Sequence, residues 1–332
     1  MKKILIILPD SIAGNLILRG FGSGFKSNGV FVKEIDFRDL KIEEIKNFKP
    51  DIIFGYDYGF LLSNDEELKN FIVNNQNNCK LVHYFADEPD SKLAYVDKKH
   101  LYEEFKKLNA ASFLWDKDFL QQLPDSVYLP LAVNSKAYRI EPATQKYEIS
   151  FVGRPLDDKR QRILAMLIKT FGRKLNIFCY ERHFLQSLDD MKDKMLLTED
   201  EMEIYKKSYK GFVSTEKELA AVYQGSKINL NITMQGESAL NYRIFEVLAS
   251  FGFLITDYVK DLEENFEVSK ELESYKNTDD LIDKIEFYLK NPEISQRIAV
   301  HGYSKVIKKH TYTARADKLL RAIGFKDNIT KH

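Results

Sequence analysis

The sequence has no excess of charge: its 332 residues include 50 Lys and Arg against 50 Asp and Glu. A broad cationic face for nucleic acid is therefore excluded as a main source of affinity, because phosphate neutralisation supplies most of such binding. A local basic pocket for one or two phosphates is compatible with neutrality. Cysteine is scarce. Cys79 and Cys179 are the only two, and they fall in what the pattern below makes separate domains, so no disulfide framework is expected. A reducing, cytoplasmic compartment follows as the expectation. Long apolar runs are missing as well: clean ones reach only six residues at Ile163 to Ile168 and five at Ile4 to Leu8, far short of the roughly 18 residues of a membrane span. Lys2 and Lys3 ahead of this run resemble the start of a signal peptide, but the run stops at Pro9–Asp10 with no small-residue cleavage site, which makes it a buried first strand. Clustered His and Cys ligands are absent, so no imidazole or thiolate metal site is expected. Short-period repeats are absent too, which excludes solenoids. Aromatic residues are plentiful, with 23 Phe and 18 Tyr beside a single Trp. Core filling is their general use and a sugar-stacking platform the special one.

The length favours two domains of roughly 100–200 residues each. Short apolar runs at Lys3–Leu8, Val30–Ile35, Asp51–Tyr56, Lys80–Phe85 and Ser112–Trp115 read as strands, with amphipathic helical segments such as Asn64–Val73 and Lys98–Leu108 between them. A second set follows at Tyr147–Val152, Lys174–Cys179, Lys227–Ile232 and Phe253–Asp257. Strand–helix alternation predicts parallel sheets with helices on both faces. The apolar positions Ile163, Leu164, Leu167, Ile168 and Phe171 follow helical spacing, and Thr198 with Glu201 and Thr215 with Glu218 form capping-box signatures of two further helix starts. Pro130 and Pro142 flank a stretch without apolar period, which reads as a linker. The expected division is an N-terminal domain over 1–133, a linker over 134–146, a second domain over 147–310 and a C-terminal helix over 311–325 that ends at Gly324 and packs back toward the first domain. The fold class is α/β, with two doubly wound Rossmann-like domains facing across a cleft. Ligands in such sheets gather beyond the carboxyl ends of the strands.

Residues just after each strand therefore carry most weight. The first strand runs into Gly14 and Asn15 and then Gly20, Gly22 and Gly24. These glycines would let a phosphate approach helix amides, or else serve turns and packing. They come too late after the strand for a G-x-G-x-x-G dinucleotide site. After Lys80–Phe85 stand Asp87, Glu88 and Asp90 around Pro89. Asp87 could bind or deprotonate a substrate hydroxyl, or cap the next helix. His83, within the strand, reads as a core histidine. Gly153 and Arg154 follow the strand Tyr147–Val152, and Arg154 is a candidate fork for phosphate oxygens. Lys159, Arg160 and Arg162 read as a solvated face. Farther on, Asn241 opens a helix that carries Arg243 and Glu246 three residues apart on one face. This pair is either a surface ion pair or a phosphate ligand with a carboxylate for ribose hydroxyls.

The run Asn241-Tyr-Arg243-Ile-Phe-Glu246-Val-Leu-Ala, with Gly252-Phe-Leu-Ile-Thr-Asp257-Tyr after it, resembles the C-terminal signature of GT-B fold glycosyltransferases, in particular the spore-maturation CgeB-like group. Leu129-Pro-Leu-Ala-Val133, Ile149-Ser-Phe-Val-Gly153 and His310-Thr-Tyr312 with Arg315 are similar to that group too. The resemblance implies a nucleoside-diphosphate sugar as donor, bound mainly by the second domain without metal or cofactor. It also implies a glycan, lipid-linked or protein acceptor on the first domain, in surface-glycan or glycoprotein biosynthesis. By that comparison Glu246 matches the ribose-binding glutamate that ends the Glu-x7-Glu motif of family 4 enzymes, and Arg154 the arginine beside the diphosphate. Ser238 stands where the first glutamate of that motif would be, with Glu237 next to it. Glu237, Gly14, Asn15 and Lys227 are further donor-site candidates, and Asp87 is the candidate for acceptor activation. The alternatives are a nucleotide-sugar epimerase of the same fold and a non-catalytic two-lobed sugar or nucleotide sensor.

Overall fold

A computed structural model describes residues 2–9, 12–55, 66–75, 78–86, 92–93, 96–97, 110–121, 123–138, 145–234 and 239–325. The chain divides into two units: Met1–Asn134 with His310–His332, and Ser135–Lys309. The residues expected to form a linker thus fall with the second unit from Ser135 on.

The first unit is built on six parallel strands: β1 (Lys3–Leu8), β2 (Phe31–Asp36), β3 (Ile52–Gly55), β4 (Lys80–Phe85), β5 (Ala111–Leu114) and β6 (Val127–Tyr128), in the order β2-β1-β3-β4-β5-β6. Central strands of a sheet covered on both faces read as continuous apolar runs, and Ile4 through Leu8 are all buried. Helix α1 (Ile12–Ser27) links β1 to β2, followed by α2 (Ile42–Phe48) and α3 (Glu66–Asn74). His83 is buried, edge-on to the Phe85 ring at 4.0 Å between centroids. The segment expected as a helix over Lys98–Leu108 lies outside the described residues.

The second unit holds five parallel strands: β7 (Tyr147–Val152), β8 (Leu175–Phe178), β9 (Ser226–Asn231), β10 (Leu254–Asp257) and β11 (Glu273–Tyr275), in the order β8-β7-β9-β10-β11. Its helices are α4 (Asp158–Phe171), α5 (Glu181–Asp193), α6 (Glu199–Ser208), α7 (Glu216–Gln224), α8 (Tyr242–Ala249), α9 (Thr278–Lys290) and α10 (Pro292–Lys309). Asp157 caps α4 by accepting from the Arg160 amide, and both capping boxes, Thr198 with Glu201 and Thr215 with Glu218, are formed. Two parallel sheets with surrounding helices make the chain α/β. Cys79 and Cys179 are free thiols, one in each unit. No helix among the described residues is long and apolar enough to cross a membrane.

The last helix, α11 (Tyr312–Ala322), belongs to the first unit and packs on α1. This contact corrects the phosphate reading of the α1 glycines. A Cβ on Gly20 would lie 2.3 Å from the Tyr312 ring, and one on Gly24 2.2 Å from the Tyr312 carbonyl oxygen. These glycines admit a neighbouring helix. The Tyr312 ring then joins an aromatic core, 5.0 Å from Phe21, which in turn meets Phe54 at 5.1 Å and Tyr84 at 5.0 Å. Thr311 bridges to Val133, and the buried Arg315 donates to the carbonyls of Pro130 (2.8 Å) and Leu131 (3.2 Å). Gly24→Ala is expected to lower unfolding free energy by about 1–3 kcal/mol in urea titrations, since a methyl against backbone outweighs the helix propensity gained. Ser23→Ala on the same helix is the control, expected within about 0.5 kcal/mol of the parent. Equal stability of the two variants refutes the close approach.

Candidate functional site

The strand order of the second sheet reverses at β7, with β8 on one side and β9 on the other. Open α/β sheets bind ligands outside the carboxyl ends of the strands at such a switch point. The residues there are Gly153 and Arg154 after β7 and Ile232, Thr233 and Met234 after β9. Gly153 has φ +152°, and a Cβ on it would lie 3.1 and 3.2 Å from the two terminal nitrogens of Arg243. Only glycine lets the Arg243 guanidinium, from the first turn of α8, lie flat on the turn after β7. Arg154 beside it is exposed, with a guanidinium nitrogen 4.0 Å from the Met234 sulfur. The Nε of Arg243 is buried and has no hydrogen-bond partner. Two guanidinium groups thus flank one glycine turn.

Arg160 and Lys159 do not form the solvated face expected of them. Arg160 is buried: its Nε donates to the Ile232 carbonyl at 2.8 Å and its Nη1 to the Arg154 carbonyl at 3.1 Å. It therefore braces the turn after β7 against the turn after β9. The Lys159 ammonium lies 2.9 Å from the Thr233 hydroxyl and 2.5 Å from the Asp257 carboxylate at the end of β10. Arg162 alone behaves as expected, exposed and paired with Asp158. His183 is held toward its neutral form: burial lowers its pKa, and so do the charges of Arg182 and Arg154.

Glu246 sits one turn into α8, buried at 6% exposure. Its Oε1 accepts from the Tyr138 hydroxyl and its Oε2 from the Tyr223 hydroxyl at 3.3 Å. Tyr223 also bonds Arg243, and Tyr242 is hydrogen-bonded to Tyr138. Glu246 is thus neither the surface ion pair considered from sequence nor an open carboxylate. Burial raises its pKa above the ordinary value of 4.5, opposed by the Tyr138 hydrogen bond and the Arg243 charge. Tyr138 and Tyr223 were missed from sequence, being 108 and 23 residues from Glu246.

The other candidates separate. Gly14 is buried and Asn15 donates to the Pro9 carbonyl at 2.6 Å, both in the first turn after β1. Lys227 is corrected: it stands at the amino end of β9, 3.5 Å from Glu148. That is the opposite end of the strand from the switch point. Asp87 and Glu237 lie outside the described residues, as does Ser238. Among the described residues no three His, Cys, Asp or Glu side chains gather as metal ligands. Tyr180 and Phe212 stack at 3.7 Å near the carboxyl end of β8, with Phe212 48% exposed.

Comparison with solved structures gives the same architecture over nearly the whole chain. A glycosyltransferase from Rickettsia africae superposes with a TM-score of 0.68 at 13% identity, covering 97% of each chain. HepE from Anabaena, in complex with UDP and glucose, superposes at 0.68 and 9% identity over 98% of this chain and 100% of its own. The chain has the GT-B glycosyltransferase fold. Sucrose-phosphate synthase from Thermosynechococcus elongatus shares this GT-B architecture, with a TM-score of 0.64 at 13% identity over 98% of both chains. Residues 160–321 match a sequence family described as glycosyl transferase-like. No curated protein matches the sequence.

Because the raised Glu246 pKa means that the native state binds this proton more tightly than the unfolded chain, stability contributed here is present at low pH and declines as pH rises from about 4.5 through the native value. Glu246→Gln removes that decline. Its unfolding free energy relative to the parent is expected to climb between pH 5 and pH 8 in urea titrations. Parallel profiles would show that the carboxyl titrates as in the unfolded chain.

Proposed function

We propose that this protein transfers a sugar from a nucleoside-diphosphate sugar to an acceptor hydroxyl, without a metal ion, as a member of the CgeB-like group related to glycosyltransferase family 4. The observation that carries the reading is the packing of the Arg243 guanidinium on Gly153, with the exposed Arg154 next in sequence, at the switch point of the second sheet. Breaking the bond between the sugar and the diphosphate leaves negative charge on the departing phosphate. Preorganised guanidinium groups and helix amides stabilise that charge at no reorganisation cost. Arg243 supplies a terminal pair of nitrogens and an unpartnered Nε, and Arg154 an exposed fork. The GT-B neighbours support the reading, since HepE occurs in complexes with UDP and with UDP-glucose. A cytoplasmic site of action fits the free thiols of Cys79 and Cys179. The nature of the transferred sugar as a hexose and the role of Asp87 at the acceptor belong to the same proposal.

Arg154→Ala and Arg243→Ala are each expected to weaken binding of UDP, or of whichever of UDP, GDP and ADP binds best, by about tenfold to a hundredfold in calorimetric titration. Arg154→Ala is expected to leave the ligand-free melting temperature unchanged, because the side chain is exposed. Unaltered affinity in both variants refutes the donor-site assignment.

A further inference from the structure

The polar residues behind α8 form a relay whose direction is fixed at its far end. The Thr256 hydroxyl donates to the backbone carbonyl of Asp257 at 3.3 Å, and a carbonyl can only accept. With its proton committed, Thr256 accepts from the Asn231 side-chain amide nitrogen at 2.9 Å. The Asn231 oxygen therefore faces Asn241, whose amide nitrogen donates to it at 3.0 Å. Asn231 and Thr256 are fully buried, so neither end is exchanged with water. The result is a defined orientation for Asn241: its nitrogen bonds Asn231 and its oxygen is turned away from that partner. That oxygen is buried and has no hydrogen-bond donor. Asn241 is also the residue that opens α8 without capping it through its side chain.

A buried acceptor with no donor is destabilising, and a phosphate oxygen cannot offset that, being itself an acceptor. Only a group carrying a proton can. We infer that Asn241 is a specificity-determining residue that accepts a hydrogen bond from a hydroxyl group of the nucleotide-sugar donor, with Asn231 and Thr256 as positioning residues that hold its amide in that sense. The inference rests on the donor-binding reading above. It leaves the phosphates to the guanidinium groups. The hydroxyl is on the ribose or on the transferred sugar, and the two sources are separable.

The test measures binding of UDP, 2′-deoxy-UDP, 3′-deoxy-UDP and UDP-glucose, with the corresponding GDP and ADP series, to the parent protein, Asn241→Ala and Thr256→Val. A ribose contact is expected to appear as about tenfold weaker binding of one deoxy analogue to the parent and as loss of that discrimination in Asn241→Ala. A sugar contact is expected to appear as about tenfold loss of UDP-glucose affinity in Asn241→Ala with UDP affinity retained. Thr256→Val keeps the shape of the side chain but frees the relay to reverse, so it is expected to lose the same discrimination, and it carries the test where Asn241→Ala fails to fold. If Asn241→Ala weakens every ligand by one common factor, or none, the hydroxyl assignment is overturned. If no nucleoside diphosphate binds the parent protein, the transferase reading itself is overturned.

Discussion

The guanidinium of Arg160 is where the second unit's site depends most on a single side chain. It is buried, and it bonds the backbone carbonyls that follow β7 and β9, the two strands at which the sheet reverses. Backbone carbonyls beyond a strand end have no ladder partner, and an unsatisfied buried one is costly. One planar cation with several donors satisfies both and sets the spacing of the two turns. Asp157 completes the arrangement by capping α4 and lying 3.3 Å from the same guanidinium. The position of Arg154, whose carbonyl is one of those held, is therefore a consequence of Arg160. So is that of Thr233, which follows the other and meets Lys159 and Asp257.

Charge in this site is arranged by how strongly each cation is already committed. Arg160 and Lys159 are engaged by carbonyls and by Asp257, so they shape the turns. Arg154 and the Nε of Arg243 retain donors for an incoming anion. The acidic partner nearest to Arg243 is Glu246, but Tyr138 and Tyr223 take its two oxygens. That division keeps a carboxylate inside the unit without spending the arginine on it. Pairing Arg243 fully with Glu246 would satisfy both charges and leave the guanidinium without an uncommitted donor.

Much of this fold is legible in the sequence because its strands are buried on both faces. Lys3–Leu8, Lys80–Phe85 and Tyr147–Val152 have the boundaries that their apolar runs predict. The strand Glu273–Tyr275 escapes such a reading because Glu273 is polar yet only 3% exposed, its carboxylate bonded by Lys284 and Tyr288. Compensation of that kind comes from residues on a later helix and leaves no mark on local hydropathy. The glycines of α1 mislead for the same reason. Read locally they suit a phosphate or packing alike, and the atoms that require Gly20 and Gly24 belong to Tyr312, nearly 300 residues later. The site divides along the same line. Gly153, Arg154, Asn241, Arg243 and Glu246 stand in short motifs and can be found by inspection, whereas Arg160, Tyr138, Tyr223 and Asn231 act through contacts that only the folded chain creates.

Hydrogen-bond polarity adds what charge alone does not. Guanidinium groups attract any anion, and a diphosphate bound only by them would be held with little regard to what it carries. The Thr256–Asn231–Asn241 relay supplies the opposite chemistry a short distance away: an acceptor fixed in place, which rewards a hydroxyl and rejects a further phosphate oxygen. Its direction comes from Asp257, whose backbone carbonyl and carboxylate both accept from the Thr256 hydroxyl. An acceptor and a set of donors on neighbouring turns of one switch point distinguish a ligand with hydroxyl groups beside its phosphates from inorganic phosphate or diphosphate. Sites that leave a buried polar group unpaired when the wrong ligand binds discriminate more strongly than apolar pockets do, and Asn241 gives this site that property.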